Sequence, residues 1–330
     1  MHALVAADGH LDLQDVARPS FPQECLIRIR MAGICGTDLA ILAGYAGFSG
    51  VPGHEFVGVV ERAPGEAETW LGRRVVGEIN IGCGLCRSCR EGVREHCERR
   101  RVVGIRDRDG AFAEYLSLPA ENLHAVPDHM PDEVAVFAEP LAAACRIVEQ
   151  LPHVWRPASP GPPATDAAVL GDGRLGLLVA QVLLSAGARV TVIGRHAEKL
   201  AIARGFGVET MTADEMGAAR GRFELVVDAT GRPGGLASAL ALVRPRGTVV
   251  LKSTFHDAVP IATSPIVVDE VTIVGSRCGP FPKAIDLLSR GAVDVRPLVS
   301  AVYPLSAWRD AFSAARTMLK VLIEPASFQL

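Results

Sequence analysis

The chain reads as an α/β protein in which a doubly wound parallel sheet is inserted into a β-rich domain. Three observations predict this. Residues 1–130 carry short apolar–polar alternations broken by glycine and proline, residues 166–253 alternate apolar strands with helices, and beyond residue 275 that alternation stops. At 330 residues the chain is also too long for one ordinary core, so two domains are expected.

The elements follow in order. "ECLIRIRMAG", "HEFVGVVE" and "FAEYLSL" are strand candidates in the first part. "PDEVAVFAEPLAAACRIVEQL" has helical spacing, with Pro140 expected to kink or interrupt it. "RPASPGPPATD" is rich in proline and small residues and reads as a linker. Then "DAAVLG", "RVTVIG", "FELVVDATG" and "GTVVLKS" read as strands, separated by the helices "RLGLLVAQVLLSAG", "HAEKLAIARGFG" and "GGLASALALV". Apolar strands alternating with helices indicate a parallel sheet covered on both faces. The tail offers the helices "PFPKAIDLLSRGAVDV" and "LSAWRDAFSAAR", which return to the first domain. The expected division is therefore 1–141 for the first part of the β-rich domain, 142–274 for the inserted domain, and 275–330 for the return.

Composition excludes several functions. A net charge of −3 is too small to select nucleic acid or a charged partner. No apolar run reaches the roughly 18–20 residues of a membrane span, and the N-terminus lacks the marks of a secretion signal. Eight cysteines without such a signal point to the cytoplasm, where clustered thiols usually bind metal.

"GCGLCRSCREGVREHC" at 82–97 places Cys83, Cys86, Cys89 and Cys97 in a C-x2-C-x2-C-x7-C pattern. Four thiolates this close can close a tetrahedron around one zinc ion, and glycines at 82, 84 and 92 let the loop turn. Such a site has no open position, so it is structural. A quieter set lies in "AGICGTDLA", "VPGHEFVGVV" and "FAEPLAA", where three of Cys35, His54, Glu55 and Glu139 could hold a zinc with one position left open. Each alone has a plainer reading: a core cysteine, a strand end, a helix cap.

"CGTD", "GHEFVG", the four-cysteine loop, "EPLAAA" and "GDGRLG", in this order, resemble the zinc-dependent medium-chain alcohol dehydrogenases, and within them the polyol, sugar and threonine dehydrogenase branch. The resemblance spans nearly the whole chain. It implies a Rossmann-type domain inserted into a GroES-like catalytic domain, and two zinc ions per chain, one catalytic and one structural. It also implies that Cys35 and His54 are catalytic-zinc ligands, with Glu55 and Glu139 each direct or water-mediated. Thr37 would accept the substrate proton first, although "GTD" could equally cap a helix. Asp38 would orient His54. The family's relay commonly ends on a histidine where this chain has Ala40, so the outward proton path must run through water or another group.

"VLGDGRLG" supplies Gly171, Gly173 and Gly176 as G-x-G-x-x-G between a strand and a helix, with Arg174 and Leu175 opening that helix. Backbone N–H groups and the helix dipole there can receive a pyrophosphate. The next strand ends at Gly194 and Arg195, with Lys199 one turn on, where an enzyme for NAD would carry an acid. An arginine can grip a 2′-phosphate, so NADP is preferred over NAD. Thr230 in "DATG", Leu251 and Ser253 in "VLKS", and Arg277 in "GSRCG" complete the cofactor set. Cys25, Cys145 and Cys278 read as free thiols.

The expected activity is hydride transfer between NADP(H) and a small neutral secondary alcohol or polyol, or the matching carbonyl. Tyr45, Phe48 and Ile79 are candidate substrate walls. The alternatives are a nucleotide sensor on a zinc scaffold, without dehydrogenase activity, and a reductase or lyase on the same fold. Relatives are homodimers or homotetramers, and "DEVTIVGS" is a candidate joining edge.

Overall fold

A computed structural model of the chain describes residues 1–152, 154, 165–254 and 258–325. The proline-rich linker predicted at 156–166 lies outside the described residues but for Thr165 and Asp166. The chain divides into two compact units. One comprises Met1–Glu139, Ala284–Ser289 and Val295–Leu330, the other Pro140–Lys283 and Arg290–Asp294.

The first unit is built on a mixed sheet ordered 299–304, 320–324, 25–33, 55–62, 74–77, 123–125, with strand Tyr115–Leu118 also paired to Cys25–Gly33. Alternation explains the central strand. Cys25, Ile27, Ile29 and Met31 point into the core while Leu26, Arg28 and Arg30 do not. Phe56, Phe112 and Leu116 join that core, and Phe112 packs edge-on against Phe312 from the tail at 5.6 Å between ring centroids.

The second unit is a six-stranded, wholly parallel sheet ordered 209–212, 189–194, 166–170, 223–228, 243–251, 272–275. In chain order this is 3-2-1-4-5-6, the doubly wound arrangement, and the order reverses at Asp166–Leu170. Its strands are apolar without alternation because helices cover both faces. Helix Arg174–Ser185 alone buries an unbroken run from Gly176 to Leu183.

Pro140 interrupts the expected helix, because its ring excludes the carbonyl of Val136 four residues back. The interruption falls at Val136–Phe137, between helices Asp132–Ala135 and Ala138–Gln150, and Pro140 sits in the first turn of the second, where its missing N–H costs nothing. Two regions differ from the sequence expectation. Strand Glu209–Thr212 was not anticipated, since "ETMT" has little apolar signal. The tail adds strands Val299–Pro304 and Lys320–Glu324 to its two helices. Strand Lys320–Glu324 lies beside Cys25–Gly33, pairing Leu322 with Gly33. Among the described residues no helix is long and apolar enough to cross a membrane.

Candidate functional site

Three strand ends converge in the first unit. Strand Cys25–Gly33 ends two residues before Cys35, and its Gly33 pairs with Glu55 at the start of strand Glu55–Arg62. Lys320 opens the tail strand alongside. The Cys35 thiol, a His54 ring nitrogen and a Glu55 carboxylate oxygen all lie within 4.8 Å of one another. His54 and Glu55 are buried, and Cys35 is half-buried. Glu139 is half-buried in the first turn of helix Ala138–Gln150 and is not part of that group.

Asp38 serves two neighbours from helix Gly36–Leu42. Its Oδ2 accepts the N–H of Cys35 at 2.7 Å, which ties down the helix start. Its Oδ1 lies 3.3 Å from His54 Nδ1. Burial opposes charge on His54, yet Asp38 and Cys35 outweigh it and hold the imidazole's pKa well above its ordinary value. Thr37 lies inside the first helical turn, not at the cap, with its Oγ1 3.9 Å from the Cys35 sulfur.

Lys320 was not anticipated. It is fully buried, and its ammonium donates to Glu55 Oε2 and to the Ile34 carbonyl, 3.3 Å away. Its Nζ also lies 5.5 Å over the Phe137 ring. The pair uses the space above Gly33, where a Cβ would meet Glu55 Oε2 at 2.4 Å and Lys320 Nζ at 2.7 Å. Burial pulls the lysine pKa down to about 8 against the opposing charges of Cys35 and Asp38. The remaining carboxylate oxygen, Glu55 Oε1, is buried with no hydrogen-bond partner among the described residues. A buried anionic oxygen without a donor, beside a thiol and an imidazole, suits a zinc ion. One clue stood in the sequence: a single lysine between apolar residues in "MLKVLI", where a lysine is almost never buried unless paired.

The sulfurs of Cys83, Cys86, Cys89 and Cys97 likewise lie within 4.8 Å of one another, with Cys97 fully buried. Donation from the N–H groups of Leu85 and Cys86 pulls Cys83 down to about 6. At Cys86 the Cys89 N–H acts the same way, but burial and the three other thiols push it up to about 11. Thiols that share protons this way are ready to exchange them for one metal ion. Arg99 Nη2, 3.4 Å from the Cys83 sulfur, offsets part of the negative charge.

In the second unit Gly171 and Gly176 pack together, and a Cβ on Gly176 would meet the Gly171 carbonyl at 2.0 Å. A Cβ on Gly173 would meet nothing within 4 Å, so the backbone entering helix Arg174–Ser185 is bare. Arg174 and Leu175 are half-buried there, Arg195 and Arg277 are exposed, and Lys199 is half-buried on helix Ala197–Gly205. Thr230 and Ser253 converge on buried Asp228, whose Oδ1 accepts from their hydroxyls at 2.8 and 3.2 Å. Leu251 ends its strand half-buried, and the next residue, Lys252, ties that strand end to the Ala143 and Arg277 carbonyls. Tyr45 and Phe48 pack half-buried against the first unit's core, and Ile79 is buried within it.

Residues 21–128 match the alcohol dehydrogenase GroES-like domain, and residues 175–290 the zinc-binding dehydrogenase domain. The D-arabitol-phosphate dehydrogenase of Enterococcus avium is 31% identical over 322 residues, spanning 91% of this chain and 89% of that one. A protein of Sinorhizobium meliloti 1021, described as a zinc-binding dehydrogenase and bound to NADP, superposes with a TM-score of 0.88 at 29% identity over 98% of this chain and 99% of its own. An alcohol dehydrogenase of Escherichia coli CFT073, described as short-chain and complexed with NADH, gives a TM-score of 0.87 at 28% identity over 98% and 99%. With its GroES-like and Rossmann-type units, the chain belongs to the zinc-dependent medium-chain dehydrogenase superfamily, in its polyol and sugar branch, and is an oxidoreductase of the alcohol dehydrogenase type.

Proposed function

We propose that this protein is a zinc-dependent, NADP-preferring dehydrogenase of a small neutral secondary alcohol or polyol, acting also on the matching carbonyl. The observation that carries the reading is the trio of Cys35, His54 and Glu55, two of them buried, with its unsatisfied carboxylate oxygen. Two zinc ions per chain fit the two ligand clusters. When bound, zinc supplies Lewis acidity toward the substrate oxygen, and the nicotinamide accepts or returns the hydride. Cys35 and His54 hold the catalytic ion. Glu55 and Glu139 complete its shell directly or through water. Asp38 keeps His54 in one tautomer, and the Thr37 hydroxyl takes the proton leaving the substrate. From there the proton leaves through water or another group, because Ala40 offers no side chain to carry it on.

Cofactor choice rests on the end of strand Arg189–Gly194. Arg195 is exposed there, Lys199 follows one turn on, and position 194 carries no acid. The four-cysteine loop is a staple and takes no part in the chemistry. Clustered thiols of this kind suit the reducing cytoplasm, where they hold metal.

The test is a screen of the zinc-loaded protein against polyols and their ketones with both cofactors. Turnover with a lower KM for NADP⁺ than for NAD⁺ is the expected result. A protein that binds zinc and NADP yet turns over no alcohol or carbonyl would be a sensor instead. Association is proposed through the edge strand Thr272–Gly275, where Ile273 is exposed, as are Val267 and Val268 of helix Thr263–Val268. Light scattering at micromolar concentration should find a dimer or tetramer. A monomer would refute that edge.

A further inference from the structure

An NAD-binding fold of this type places an acid at the end of its second strand, where the carboxylate accepts the ribose 2′-hydroxyl. This chain has Gly194 at that end, and the sequence alone therefore reads as a strand end stripped of its acid. The structure shows otherwise: a carboxylate stands there, supplied by another residue. A Cβ built on Gly194 would meet Asp172 Oδ2 at 2.4 Å and Asp172 Cγ at 2.7 Å. The side-chain space of position 194 is thus filled by an aspartate that comes from the glycine-rich loop of the adjacent strand.

That carboxylate is engaged by its own chain. Asp172 Oδ2 accepts the backbone N–H of Arg195 at 2.7 Å and of His196 at 2.8 Å. The His196 ring adds its Nδ1, 3.0 Å from each carboxylate oxygen. Asp172 is 7% exposed, whereas the Arg195 and His196 side chains are open to solvent. Burial would raise the acid's pKa, but the His196 N–H and ring and the Arg195 N–H more than reverse this and hold it below the ordinary value. Asp172 therefore stays ionised at neutral pH.

We propose that Asp172 is a positioning residue for cofactor choice. It spends its charge on the backbone and ring of residues 195–196, and so holds Arg195 and His196 as a platform for the adenosine 2′-phosphate. With its donors already supplied, the same carboxylate is a poor acceptor for a 2′-hydroxyl. The inference rests on the NADP reading above and names the residue that enforces it.

The experiment is titration of the intact protein with NADPH and NADH, followed by fluorescence, and with adenosine 2′,5′-bisphosphate against 5′-AMP as probes that isolate the 2′-phosphate. Asp172→Asn keeps the shape and loses the charge, and Asp172→Ala opens the space beside Gly194. For both, affinity for NADPH and for the bisphosphate should fall roughly tenfold, the worth of a charge-assisted contact. NADH and 5′-AMP should change little, and kcat at saturating cofactor should hold. Arg195→Ala is the control for the underlying reading. A wild-type protein that binds NADPH and NADH equally, with Arg195→Ala moving neither, overturns the NADP reading itself. If the wild type prefers NADPH and Arg195→Ala removes the preference, but both Asp172 variants keep the wild-type ratio, only the role given to Asp172 falls. Equal losses for both cofactors would reduce Asp172 to a structural residue and overturn the proposal as well. A reciprocal pair, Asp172→Gly with Gly194→Asp, returns the acid to the strand end and should turn the preference toward NADH.

Discussion

The two clusters of the first unit that could hold a metal ion are built in opposite ways. The four-cysteine loop gathers its donors from fifteen consecutive residues, uses one donor type, and leaves three of its four cysteines half-buried. The Cys35, His54 and Glu55 cluster draws on two strand ends, buries two of its three donors, mixes sulfur, nitrogen and oxygen, and is braced by Lys320 from the far end of the chain. A local, closed cluster can staple a fold but has nowhere to put a substrate. A long-range, mixed cluster is costly to assemble, and that assembly is what leaves a donor unsatisfied for an incoming ion. The density of ligands in sequence is therefore no guide to where the chemistry occurs.

The largest expected effect separates the two clusters directly. Cys35→Ser should lower turnover by roughly three orders of magnitude or more, as loss of several kcal/mol of Lewis-acid stabilisation requires. It should leave one zinc per chain by elemental analysis and a folded protein. Cys83→Ser should also leave one zinc, but with a lowered Tm and residual turnover per folded molecule. Equal losses of activity in both variants would collapse the distinction. Asp38→Asn belongs to the same series at a gentler level. It keeps an acceptor for the Cys35 N–H but removes the charge facing His54, and activity or zinc affinity should fall about 10–100-fold.

The brace supplies the next contrast. Lys320→Met leaves Glu55 buried without its ammonium, a loss of about 3–5 kcal/mol, the order found when a buried pair loses one partner. Thermal unfolding should show that loss in zinc-free protein and a smaller one once zinc is bound, since the cation takes over the ammonium's part. Lys320→Arg should recover much of the difference. No stabilisation by zinc in Lys320→Met would detach Glu55 from the metal site.

Much of this was legible in the sequence where the signal is contiguous. The cysteine spacing, the G-x-G-x-x-G between strand and helix, and the strand–helix rhythm of the second unit each depend on neighbours within a turn or a loop. "CGTD" and "GHEFVG" carry Cys35, His54 and Glu55, whose ligand atoms the fold brings within 4.8 Å of one another, whereas Glu139 of "FAEPLAA" is not in that group. A lone lysine in an apolar run signals that it is paired but not with what, and the partner of Lys320, Glu55, lies 265 positions away. Strand Lys320–Glu324 was missed for the same reason: its place is decided by pairing with Cys25–Gly33, not by its own alternation. Asp172 meets Arg195 and His196 only in the fold, since 23 and 24 positions separate them.

What the sequence determined by itself was the set of local devices: helical and strand periods, glycines that admit tight turns, and clustered thiols that can share one ion. These follow from covalent geometry and short-range hydrogen bonding, which act between near neighbours. The tertiary structure alone decided which distant charges meet. It set Lys320 on Glu55 and moved the acid of the second strand's end from position 194 to Asp172. Burial strengthens each such pairing by removing water, and only the folded chain determines what is buried together.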